Sequence, residues 1–155
     1  VDHTTENAEI TNSTAVMLAS IQGNQSGIGY VSLGSMNDTV KAVKIDGAEA
    51  TTDNIKNGSY TVSRPFNIAT KDDVSEVAQD FIDYILSADG QKVVEDNGYI
   101  SQENTGDFTT SSAEGSIVIA GSSSVTPVME KLKEAIWQSM TRQRSTSRRA
   151  TPPPA

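Results

Sequence analysis

The apolar positions of this chain change period several times, and each change predicts an element. Between Asp72 and Gly98 they recur every three to four residues. Val74, Val77, Ala78, Phe81, Ile82, Ile85 and Leu86 share one helical face, with acids opposite. This predicts a long helix, and Ser87 caps a second one through "ADGQKVVEDNG". Earlier, Asn12-Ser13-Thr14 offers a cap for "AVMLASIQ", with Val16, Met17 and Ile21 on its inner face and Gly23 ending it. "TTDNIKNG" predicts a short helix capped by Thr52 and ended by Gly58. A last helix is predicted over Val125–Ala135.

The remaining apolar residues have other spacings. "VKAVKID" alternates apolar and charged residues, the mark of a half-exposed strand, and Gly47 then turns the chain. Ile28–Leu33 reads as a Gly-bounded strand. "SRPFNIAT" reads as a strand whose Pro65 suits an edge or a first position. Ser116–Ala120 reads as a strand that enters the turn Gly121–Ser124. Residues 101–114 are rich in Ser, Thr and Gly and poor in apolar residues, which predicts a linker. Strands mixed with helices argue an α/β protein.

Composition narrows the picture. Cysteine is absent, so disulfides and thiolate metal sites are excluded. No apolar run approaches the roughly 20 residues of a membrane span, and no secretion signal is read, so the chain is expected to be mature or a piece of something longer. The formal charge is −8, unevenly spread. All 20 acids lie at or before Glu134, and Arg142, Arg144, Arg148 and Arg149 lie after it. An acidic body argues against nucleic acid as the partner, because a phosphate backbone needs Lys and Arg to neutralise it. The expected cofactor is none.

Three stretches could carry chemistry. "GNQSGIG", Gly23 to Gly29, has the glycine spacing of the cofactor loop of short-chain dehydrogenases. That loop must follow a strand and open a helix; here a predicted helix precedes it and "YVSL" follows, so a turn is the expectation. Asp72-Asp73 is better read as a solvated helix start than as a metal site. "GSSSVTP", Gly121 to Pro127, is neither a Walker loop nor a nucleophile elbow, and the single histidine, His3, lies in a polar terminus. It does suit an anion. A helix start presents unpaired N–H groups and a positive dipole end, and Ser122, Ser123, Ser124 and Thr126 add hydroxyls. The same serines could serve only to cap the helix.

Four stretches taken together carry a family resemblance. "SGIGYVSLG", "VSRPFNIATK", "VAQDFIDYILSADGQKVVEDNGY" and "IVIAGSSSVTPVMEKLKEA" resemble the phosphate-binding proteins of bacterial ABC transporters. The resemblance runs from about Ala8 to Ala135. It implies a two-lobed periplasmic-binding-protein-like α/β fold, with helices flanking a mixed sheet, that closes on an oxyanion. It implies phosphate as the ligand, a membrane permease as partner, no enzymatic activity, and a location outside the cell membrane. Ser123, Ser124, Val125 and Thr126 then become the phosphate-binding residues, donating hydroxyl and backbone N–H bonds. Arg64 has no matching role and is read as structural.

The order of segments departs from that family. There the strand-GSSSVTP-helix unit opens the first lobe, and the "FIDYILS" helices close the protein. Here the closing segment comes first. The expectation is the end of one copy joined to the start of a second, resembling a circularly permuted fragment. Residues 1–62 would be a remnant of the second lobe, 63–100 the closing part of the first, 101–114 a linker, and 115–135 the opening unit. Residues 136–155 are expected to be disordered or to form an incidental helix near Trp137. A one-base shift of frame near Ile136–Met140 could turn "RRATPPPA" into Gln-Ala-Ser-Asp-Ser-Thr-Thr-Gly, which resembles the family's second anion turn. The competing expectations are a surface interaction or adhesion module and a nucleotide-binding enzyme.

Overall fold

Hydroxyl side chains start four of the five helices. In the computed structural model of the protein, residues 5–103 and 105–150 are described, with side chains as far as Thr141. Ser13 caps α1 (Thr14–Gln22), Thr51 caps α2 (Thr52–Lys56), Ser75 caps α3 (Glu76–Ile85) and Ser87 caps α4 (Ala88–Asp96). Each accepts a bond from a first-turn N–H that would otherwise have no partner. At α2 the cap is Thr51, one residue before the expected Thr52. The last helix, α5, spans Thr126–Ala150.

The core lies where α3, α4 and α5 meet. Phe81 and Tyr84 come from α3, Tyr99 from just beyond α4, and Val128, Leu132 and Ile136 from one face of α5. The buried face of α3 is rotated from the expected one. Tyr84 and Asp80 are inside, whereas Leu86 is exposed. α4 lies close under the end of α3. The Ser87 hydroxyl donates to the Tyr84 carbonyl at 2.7 Å, and Gln91 Nε2 donates to the Ile85 carbonyl at 2.7 Å.

Residues 136–150 continue α5, the helical alternative of the two expected for them, with Ile136 in the core and Met140 packed against it; what differs from the expectation is the length of that helix. Residues 151–155, like Val1–Thr4 with His3 and like Asn104, lie outside the described residues. The predicted mixed sheet also does not form among the described residues. Ile28–Leu33, residues 63–70 and Ser116–Ala120 hold no strand, and an isolated bridge joins Ile45 to Ala48. That bridge closes over Asp46 (φ 50°) and Gly47 (φ 84°), the paired positive φ angles of a tight hairpin turn. The physical reason is pairing. A strand pattern marks residues fit for a ladder, but the ladder needs a second strand to accept its bonds. Tyr30 at 95% exposure and Val118 at 98% stand in segments without one.

Residues 101–103 and 105–114 are irregular, and they are tied down across α3 and α4. The Gln102 N–H donates to Gln91 Oε1 at 2.7 Å, and the Ala88 N–H donates to the Gly106 carbonyl at 2.8 Å. The Phe108 ring meets Tyr84 edge-on at 5.1 Å. Asp80 anchors the far end, accepting from Thr110 Oγ1 at 2.6 Å and from the Ser111 N–H at 3.0 Å. Burial pushes the Asp80 carboxyl up, but the bonds from Thr110 and Ser111 outweigh it and hold the group below its ordinary value. A carboxylate lowered in the folded state stabilises the fold above the unfolded value, near 4, and loses that contribution as pH falls through its folded value. Resistance to unfolding by urea should therefore fall below about pH 4. In Asp80→Asn that acid-side loss should be smaller, and at pH 7 the variant should be about 1–3 kcal/mol less stable.

Candidate functional site

The turn before α5 organises itself around Ser122. Its carbonyl accepts from the Val125 N–H at 2.9 Å, the Thr126 N–H at 3.2 Å and the Thr126 hydroxyl at 3.3 Å. Its hydroxyl accepts from the Ser124 N–H at 3.4 Å. The four residues singled out from the sequence thus share one turn. Ser123 and Thr126 are exposed, and Ser124 and Val125 are half-buried. The Ser123 hydroxyl lies 3.3 Å from the hydroxyl of Thr14, which brings the start of α1 to the start of α5. The Ser124 hydroxyl takes no partner among the described residues.

A second set of residues supports this turn from below. α4 ends in a left-handed Gly98 (φ 77°), with the Gly98 N–H on the Glu95 carbonyl and the Tyr99 N–H on the Val94 carbonyl. That pair of bonds is a Schellman cap, which reverses the chain and directs the next side chain back onto the helix. It delivers Tyr99 to the core. The Tyr99 hydroxyl then donates to the Ser124 carbonyl at 2.9 Å. The Ser32 hydroxyl reaches the same carbonyl at 3.4 Å, and the Ser35 hydroxyl lies 3.4 Å from that of Tyr99. Ser32 precedes and Ser35 ends a short 3-10 turn, Leu33–Ser35, whose Gly34 lies against the Tyr99 ring. A Cβ on Gly34 would stand 2.4 Å from that ring. Phe66 covers another side, its ring 5.9 Å from that of Tyr99.

Sequence reasoning found the turn and missed its supports: Thr14, Ser32, Ser35 and Tyr99. One signal was available. A Tyr directly after "NG" at a helix end is placed by the cap, and a buried phenol needs a partner. The other loop, Gly23 to Gly29, behaves as a turn: Gly23 ends α1, and Gly29 packs on Met17 and Ile21. No helix opens after it. Among the described residues, no group of His, Cys, Asp or Glu is arranged to hold a metal ion.

Chemically, the α5 turn offers donors. Hydroxyls and helix-start N–H groups suit an anion. The Val125 and Thr126 N–H groups already have the Ser122 carbonyl, so an anion would compete with or share those bonds.

Comparison with known proteins shows what the chain is similar to. Over 136 residues the chain is 59% identical to the phosphate-binding protein PstS 2 of Streptococcus agalactiae serotype V, a match covering 87% of this chain and 46% of that protein. It is 44% identical over 136 residues to PstS 2 of Streptococcus pneumoniae serotype 4, covering 87% of this chain and 47% of that one. In structure it is similar to the crystal structure of a phosphate ABC transporter phosphate-binding protein from Streptococcus pneumoniae TIGR4, with a TM-score of 0.68 and 43% identity. That likeness covers 89% of this chain and 54% of the other. No protein-family model matches the chain. The matched stretch is similar to part of proteins named as phosphate-binding proteins. The chain spans about half the length of the relatives it matches.

The match also bears on the order of segments. At 136 residues of 155, it necessarily includes both 63–100 and 115–135. The relatives therefore carry these two segments in the same order, and no join of two copies is needed to explain it.

Proposed function

We propose that this chain forms one wall of a phosphate-binding cleft in a protein that captures inorganic phosphate outside the cell membrane for import through an ABC-type permease. The Ser123, Ser124 and Thr126 hydroxyls and the Val125 and Thr126 N–H groups donate to the phosphate oxygens. The observation that carries this reading is the location of those donors, grouped on one turn at the start of a 25-residue helix in a chain 59% identical to a named phosphate-binding protein.

A cleft surrounds its ligand with groups from both sides. These residues supply one side. The packing of α5 on α3 and α4 supports a circularly permuted arrangement, in which the opening helix joins the closing ones in one lobe. The apolar, unpaired stretches 28–33, 63–70 and 116–120 are where the rest of such a protein would complete a sheet.

A phosphate titration followed through the backbone amide resonances tests the site. At millimolar phosphate, the expected shifts concentrate at residues 122–127, are weak, and exceed those with sulfate. Shifts scattered over Lys side-chain neighbours, or identical with sulfate, would reject the turn as a phosphate site.

A further inference from the structure

We infer that Tyr99 is the positioning residue of the phosphate turn: its hydroxyl holds the Ser124 carbonyl and thereby aims the Val125 N–H. This rests on the phosphate reading above and adds to it the device that sets the turn's geometry.

The argument starts from the peptide plane. The Ser124 carbonyl and the Val125 N–H belong to one planar unit and point in opposite directions. Whatever fixes one fixes the other. Tyr99 fixes the carbonyl at 2.9 Å, and Ser32 adds a weaker reach at 3.4 Å. The Val125 N–H already rests on the Ser122 carbonyl at 2.9 Å, so the bonds to the Ser124 carbonyl hold the same peptide from its other end and keep that N–H on the side where an anion could share it. The cost of losing that orientation is largest at a site where phosphate must be bound by neutral dipoles.

The protein commits several features to placing this one hydroxyl. Gly98 takes the left-handed conformation that turns Tyr99 inward. Gly34 gives up a side chain so that the ring can lie against the backbone. Ser35 meets the same phenol oxygen at 3.4 Å. The ring itself is 7% exposed, so it cannot swing out to water without opening the core. A tyrosine wanted only for packing would need none of the hydroxyl's partners, and phenylalanine would fill the same space. The acceptor is also specific: it is the carbonyl one bond away from a proposed donor. Residues from three distant parts of the chain (32–35, 98–99 and 122–126) thus meet at one peptide, and the turn is set by the folded unit as a whole.

The test is Tyr99→Phe in the 155-residue chain, with phosphate titrated against amide shifts. The expected result is phosphate binding about three- to tenfold weaker, the loss of one buried hydrogen bond, together with a displaced Val125 amide signal before phosphate is added. Ile136→Val, a core change away from the turn, should lower the melting temperature and leave phosphate affinity unchanged, which separates positioning from general stability. Unchanged affinity in Tyr99→Phe would overturn the positioning role and leave the phosphate turn standing. Absence of localised shifts in the unaltered chain would overturn both. Should Tyr99→Phe fail to fold, Ser32→Ala removes the other hydroxyl on the same carbonyl; weaker binding there supports the inference, and unchanged binding counts against it.

Discussion

Replacing Leu132 by Ala should destabilise the protein by about 2–5 kcal/mol, the range for deleting a fully buried leucine side chain. Leu132 is 1% exposed, the most enclosed large side chain in the core. It lies between Val128 and Ile136 on the face of α5 that meets Phe81 and Tyr84. Truncation would leave a void bounded by three helices, none of which can close it without losing other contacts. For a chain of this size the melting temperature should fall by roughly 4–20 °C. Thermal unfolding followed by circular dichroism measures it. The contrast is Trp137→Ala, five residues along the same helix. Trp137 is the largest side chain in the protein but is 75% exposed, so its removal should change stability by no more than about 0.5 kcal/mol. Equal effects at the two positions would mean that α5 does not pack on α3 and α4 as described.

Gly90→Ala should cost about 3 kcal/mol, the upper end of overpacking in a rigid setting. A Cβ at Gly90 would stand 1.9 Å from the Tyr84 carbonyl oxygen and 2.8 Å from that of Ile85. Both obstacles are backbone, so no rotamer change relieves the clash. α4 would have to move away from the end of α3. The Ser87 and Gln91 bonds that hold the two helices together would lengthen with it. Gly121→Ala is the control, because a Cβ there meets nothing within 4 Å. Chemical denaturation of both variants should show a large loss at Gly90 and little at Gly121. A neutral Gly90→Ala would contradict the close approach of α3 and α4.

Much of the helical part was legible in the sequence because its signals are local. Ser13 and Ser87 announce their helices, and Gly58 and Gly98 end theirs. The burial of Asp80 was not legible. An acid on a helix reads as solvent-facing, and only the return of Thr110 and Ser111, 30 residues later, gives it partners. The extent of α5 was missed for a related reason. A change of charge and composition after Glu134 reads as a boundary, yet Ile136 keeps the four-residue spacing of Val128 and Leu132 and carries the helix on. The strand patterns led to ladders being expected that the described residues do not form. Whether a pattern becomes a ladder depends on partner strands, which no local signal supplies.

The site divides in the same way. Ser123, Ser124, Val125 and Thr126 could be singled out because small hydroxyl residues before a helix have a definite chemistry. Tyr99 and Ser32 act on the turn from 25 and 92 positions away, through a single carbonyl.

The central claim is that these residues hold one wall of a phosphate cleft. Calorimetric titration of the 155-residue chain with phosphate, with sulfate as control, tests it most directly. The account predicts a folded protein in which phosphate binds no tighter than millimolar, because the groups that would enclose the anion from the opposite side are not on this wall. Micromolar or tighter binding, selective for phosphate over sulfate, would contradict it and would mean that these residues alone complete the site.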